Sequence, residues 1–421
     1  MRLSRALLDS ANNATALACK FDRPADTILA EFFRQNRQLG SHDRHFISDT
    51  VFSILRHKRL LEAIVPQPDL RRLVLASLLK FQGLPLNAVE AVGAPSDQAW
   101  LREVERVSTS NLPPAVRLSL PDWLWQNLQS DFGEDKALRL SEALLAPAPL
   151  DLRVNTLIAN RKGVIEELTR GGITARPTAY SPIGVRLEGK PSLNQNPLYL
   201  SGAIEIQDEG SQLLGLLVAP ARRQMVVDFC AGTGGKTLLL GAMMRDQGRL
   251  YAFDVSAKRL EALKQRVKRA QLANVHPQLI GSEHDPRIAR LAGKVDRVLV
   301  DAPCSGLGTL RRSPDLKWRQ SPASVSDWVK AQVRVLQASS QLVKPGGRLV
   351  YATCSLLAAE NEEIVEAFLE SQNGRFCLLN SQSVLEAQRI QLDTGHYFRV
   401  LPDEHGCDGF FAAVLERTEV A

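Results

Sequence analysis

What this chain lacks narrows its function first. None of its apolar runs approaches the roughly 18–20 residues that a membrane span needs, and Asp9, Asn12 and Asn13 interrupt the amino-terminal segment before it could act as a signal peptide. A cytoplasmic location without a membrane partner is expected. Cysteine is sparse and scattered: Cys19, Cys230, Cys304, Cys354, Cys377 and Cys407 form no CxxC pair and no Cys/His pair at zinc-ligand spacing. Neither a disulfide framework nor a metal is therefore expected. The charge imbalance is small, +6 over 421 residues, which admits a polyanionic partner without requiring one.

What is present suggests two or three globular domains, since 44% of the residues are hydrophobic and the chain is too long for one core. Over its first part the pattern is helical, with Ile47, Val51, Ile54, Leu55 and Leu61 on one stripe at steps of three and four. Three prolines in "NLPPAVRLSLPDW" mark a linker or short helix, and residues 1–112 are assigned to this helical domain. Residues 113–205 mix helical runs with short extended ones such as "LDLRVNTL" and "AIEIQDEG", the pattern of a small α/β module. From residue 206 to 421, apolar strands alternate with helices, which predicts a parallel, Rossmann-like sheet covered on both faces. Ligands of such sheets bind beyond the carboxyl ends of the strands.

The candidate residues sit at those ends. "VVDFCAGTGGKTLLL" reads as strand, glycine-rich turn and helix, a geometry that brings backbone and a helix amino terminus close to a ligand. Asp254 ends the next strand, where an acid can accept hydrogen bonds from both ribose hydroxyls of a nucleoside. A third acid, Asp285 or Glu283, follows the third strand and could meet the base. A P-loop ATPase is disfavoured because its pattern requires glycine where this chain has Cys230, and a dinucleotide fold because the turn is not G-x-G-x-x-G. A nucleoside cofactor without a triphosphate remains, and S-adenosylmethionine fits.

Two further strands end in thiols, Cys304 in "VLVDAPCSG" and Cys354 in "LVYATCS". Adjacent strands lie about 4.8 Å apart, so both thiols are expected to face one pocket. Methylation at carbon 5 of a pyrimidine needs such groups. A thiolate adding to carbon 6 makes carbon 5 nucleophilic, and a base must then remove its hydrogen before the thiol departs.

"DAPCSGLGTLRRSPDLKW", "LVYATCS" followed by "ENE", and "DGFFAAVLE" together resemble the RNA 5-methylcytosine methyltransferases of the Nop/Sun type, in particular their bacterial RsmB-like branch. "SHDRHFISDTVFSILRHKRLL" is similar to the NusB-like RNA-binding domain of that branch, and "LRVN" to its small RNA-recognition module. The resemblance implies methylation of RNA, ribosomal RNA foremost, with S-adenosylmethionine as cofactor and no required oligomer. It makes Cys354 the nucleophile, Cys304 the thiol that assists release, and Asp301 a contact to cytosine and cofactor. It places Cys230, Ala231, Gly232, Thr233, Gly234, Gly235, Lys236, Asp254 and Asp285 in the cofactor site. One departure stands out: "CAGTGGK" replaces the family's CAAPGGK, and a more flexible turn would weaken cofactor affinity.

Arg311, Arg312, Lys317 and Arg319 surround Trp318 directly after the Cys304 loop, a composition suited to a single strand of RNA: cations for phosphates, an aromatic ring for a base. The competing readings are a transfer RNA methyltransferase and a non-catalytic RNA-binding assembly factor. Retention of both cysteines, Asp254 and Asp301 argues against the latter.

Overall fold

The computed structural model describes residues 3–419. They form two compact units, and the division differs from the expected one. One unit runs to Pro147 and also takes in Thr309–Pro322; the other holds Ala148–Gly308 and Ala323 onward.

The first unit is helical. Its long helix Ser41–Ile64 buries the expected stripe completely, Ile47, Val51, Ile54, Leu55 and Leu61 all being 0% exposed. At His57 the helix kinks (φ −113°, ψ 16°). The cause is an inserted side chain: the Arg59 N–H, which would ordinarily donate to Leu55, donates to Ser119 Oγ at 2.9 Å. Of the two readings of the proline-rich stretch the short helix holds, as Pro114–Arg117, and it is not an open linker, because Ala115, Leu118, Ser119 and Leu120 are buried against this long helix. Helices Asp122–Phe132 and Glu134–Leu145 follow and belong to the same unit, which extends it past residue 112.

The kink frees two carbonyls, and Thr309–Pro322 uses them. Trp318 Nε1 donates to the Leu55 carbonyl and Lys317 Nζ to the Arg56 carbonyl, each at 2.7 Å. Asp315 Oδ2 accepts the Ala25 N–H at 3.3 Å, at the start of helix Ala25–Gln35, whose Pro24 cap offers no side chain. Three residues of a distant segment therefore satisfy backbone groups that the helices leave open.

The second unit contains two sheets. Strands β1 (Leu150–Val154), β2 (Ala175–Pro177), β3 (Gly184–Leu187) and β4 (Ile204–Ile206) form an antiparallel sheet in the order β2-β3-β1-β4. The large sheet comprises β5 (Met225–Asp228), β6 (Arg249–Asp254), β7 (Val275–Leu279), β8 (Val295–Asp301), β9 (Val343–Thr353), β10 (Phe376–Leu379), β11 (Phe398–Val400) and β12 (Phe410–Arg417). Its order is β10-β12-β9-β8-β5-β6-β7, with β11 beside β12. The five strands β9-β8-β5-β6-β7 are parallel, as their alternation with helices predicts. Strand order reverses between β5 and β8, and the carboxyl ends there frame the site.

Candidate active site

Past the end of β5 the chain turns through Phe229–Gly234 into helix Gly235–Met243. Gly232 adopts φ 56°, a left-handed conformation that disfavours other residues, and its N–H donates to Asp254 Oδ2 at 2.9 Å. The other Asp254 oxygen accepts the Ser256 N–H at 2.7 Å, so this carboxylate is fixed at the end of β6. The departure from the family's turn is braced: Arg266 donates to the Thr233 carbonyl at 2.9 Å and to its hydroxyl at 3.1 Å.

A cavity of about 300 Å³ opens here, lined by Phe229, Cys230, Gly232, Asp254, Glu283 and Asp301, among others. Burial pushes the Cys230 thiol well up, which suits a neutral wall rather than a nucleophile. Glu283, not Asp285, lines the cavity. Asp285 instead caps the short helix Pro286–Ala289, accepting the N–H groups of Gly281 (3.1 Å) and Arg287 (2.9 Å). That correction has a local cause, since Asp-Pro is a favoured helix start and its carboxylate is occupied by backbone.

Asp301 closes β8 and receives Lys236 Nζ at 2.7 Å. Burial alone would lower the Lys236 ammonium; the charge and hydrogen bond of Asp301 outweigh it and hold the group above its usual value. Beside this pair lies Asp228, which the sequence reading passed over. It is 1% exposed, Oδ2 accepts Thr237 Oγ1 at 2.6 Å, and Oδ1 has no protein partner. Its signal was the acid that ends the "VVD" strand directly before the glycine-rich turn.

The thiols meet. Asp301 pairs with Ala352 across β8 and β9, so the residues just beyond emerge side by side, and Cys304 Sγ lies 3.4 Å from Cys354 Sγ. Cys304 is pushed well up, first by its hydrogen bond to Cys354, then by burial and by the charges of Cys354 and Glu360. Glu360 was also missed. It is 0% exposed and accepts hydrogen bonds from Ser305 N (2.8 Å), Ser305 Oγ (2.5 Å), Gln332 Nε2 (3.0 Å) and Ser355 Oγ. Its signal was the "ENE" after "LVYATCS", which begins with Glu360 and was quoted without a role for that residue.

The basic cluster after Cys304 is corrected at Lys317 and Trp318. Lys317 is 3% exposed and Trp318 packs on Phe21, both inside the helical unit, so neither is presented to a ligand as expected. Arg311 donates to the Pro147 carbonyl at 3.1 Å and Arg319 to Asp315 at 3.3 Å. Arg312, also in this segment, is half-buried. Among the described residues no His, Cys, Asp or Glu cluster could hold a metal, and no helix is long and apolar enough to cross a membrane.

Residues 215–416 match the family 16S rRNA methyltransferase RsmB/F, and residues 120–194 match the ferredoxin-like domain of RsmF/B-like methyltransferases. A protein of Synechocystis sp. named probable ribosomal RNA small subunit methyltransferase B is 32% identical, over 91% of this chain and 93% of its own. The crystal structure of a methyltransferase homolog protein from Pyrococcus horikoshii is 30% identical, with a TM-score of 0.63 over 74% of this chain and all of that one. NSun6 of the same organism, solved with SFG, shares the fold at 21% identity, with a TM-score of 0.64 over 71% of this chain and 99% of that one. Sequence and fold agree, and the chain belongs to the RsmB/F family of rRNA methyltransferases.

Proposed function

We propose that this protein methylates carbon 5 of a cytosine in ribosomal RNA through a covalent adduct on Cys354. The contact between two thiols at adjacent strand ends, beside the Lys236–Asp301 pair, carries the reading. The cavity suits S-adenosylmethionine: Asp254 lines it and is fixed where ribose hydroxyls can donate, and Asp301 lines it beside the Lys236 ammonium. NSun6, crystallised with SFG, an analogue of that cofactor, is consistent with this use of the site. When bound, the cofactor supplies an electrophilic methyl group.

The residues then divide the work. Cys354 adds as thiolate to carbon 6, and the displaced ring electrons move towards nitrogen 3, where the Lys236–Asp301 pair offers a proton. Carbon 5 becomes the nucleophile that accepts the methyl group. Cys304 removes the carbon 5 proton; that C–H pair restores the ring double bond, the pair of the carbon–sulfur bond leaves with Cys354, and the proton on nitrogen 3 returns to the Lys236–Asp301 pair.

The two thiols should therefore fail at different steps. Cys304→Ala is expected to transfer the methyl group and then stall, slowing turnover by at least about 10²-fold and leaving a nuclease-sensitive slow band on a denaturing gel. Cys354→Ala should give neither band nor methylation. Methylation that survives both changes would end this reading, and a band from Cys354→Ala alone would reverse the roles.

A further inference from the structure

Each thiol is followed by a serine, and both serines end on one buried carboxylate. Ser305 reaches Glu360 through its N–H and its hydroxyl, Ser355 reaches the same side chain through its hydroxyl, and the two hydroxyls lie 3.2 Å apart. The carboxylate itself is held from outside the two loops: Gln332 Nε2 donates to it at 3.0 Å and to the Pro303 carbonyl at 2.9 Å. Tyr351 Oη donates to the Glu360 carbonyl at 2.7 Å, tying its backbone to β9. A second latch joins the same loops, because Gly308 N–H donates to the Cys354 carbonyl at 2.8 Å. No side chain could replace glycine there, since a Cβ would lie 2.2 Å from the Gly409 carbonyl oxygen.

We propose that Glu360 is the positioning residue of the two-thiol step, clamping Ser305 and Ser355 and so holding the sulfurs of Cys304 and Cys354 in contact. The inference rests on the proposed cytosine chemistry and adds to it what sets the geometry and the order of proton transfers. Glu360 touches no reacting atom. It acts through the residues next to those that do.

Its charge contributes as well as its hydrogen bonds. While Cys354 is a thiolate, it is the first cause that keeps the proton on Cys304. Once Cys354 is bonded to carbon 6 that sulfur carries no charge, and Cys304 can ionise to become the base. Burial and Glu360 then remain to make it a strong one. Glu360 therefore acts on release by placing the Cys304 sulfur and by setting the pH at which it ionises, its charge making the thiolate a stronger base but a scarcer one.

The test uses the full chain with ribosomal RNA and cofactor, comparing Glu360→Gln with wild type. Glutamine keeps the length and one acceptor but removes the charge. A shift of about 1 Å in a reacting group costs on the order of 10²-fold, and a partial loosening should slow release about tenfold or more, so that the covalent band accumulates. The pH profile of release should also move to lower pH, because Cys304 without the neighbouring charge ionises earlier. Ser305→Ala should give a weaker band, and its effect should be less than additive with Glu360→Gln. Melting curves report whether each variant is folded. A folded Glu360→Gln enzyme with wild-type release and an unmoved pH profile would overturn the inference, as would slower methylation with neither the band nor the pH displacement. Either result would leave the Cys304→Ala and Cys354→Ala outcomes intact, so it would be distinguishable from failure of the cytosine reading.

Discussion

At the scale of single residues, the unusual group is Asp228. Burial, reinforced by Asp301, pushes its carboxyl up to about 7. An unfolded aspartate titrates near about 3.9. Between those values the folded chain keeps a proton that the unfolded chain has lost, so stability falls as pH rises through this window and the loss is complete above about pH 7. Asp228→Asn retains an acceptor for Thr237 and is expected to flatten that dependence, melting about 2 °C or more above wild type at pH 8. Parallel pH dependences in the two proteins would show that Asp228 is already ionised when folded. The residues at the strand ends were legible because chain direction alone places them there. Asp285 misled because two roles, capping a helix and facing a ligand, share one residue type, and only the position of Pro286 argues for the cap.

Among the elements, the segment Thr309–Pro322 departs furthest from expectation. Trp318→Phe keeps the ring beside Phe21 but leaves the Leu55 carbonyl without its donor, and is expected to cost about 1 kcal/mol in the unfolding of the helical unit. Trp318→Ala should cost about 3 kcal/mol. Denaturant titration would measure both, and a loss in neither would mean that the segment is not docked in solution. This docking was not legible because it joins residues more than 200 apart, and local composition, basic with one aromatic, looks the same on a protein core as on RNA. The parallel strands were legible for the opposite reason: buried strands, glycine turns and helical periodicity all declare themselves within a few residues. The His57 kink had no local signal either, since its cause is Ser119, in a stretch whose prolines suggested a linker or short helix.

For the whole molecule, the helical unit has a discontinuous sequence. A truncation that removes residues 3–86 takes away Ala25, Leu55 and Arg56, and so the partners of Asp315, Trp318 and Lys317. It would strand a buried ammonium and an apolar ring directly after the Cys304 loop. The truncated chain is expected to lose solubility, or to melt lower than the intact chain, besides binding RNA less tightly. The split also orders events during synthesis. An amino-terminal domain usually folds as soon as it has emerged, but this unit is incomplete until Pro322 leaves the ribosome, 175 residues after Pro147. At 5–20 residues per second that is a wait of about 10–35 s, during which two helix carbonyls and an uncapped helix start face water or a chaperone.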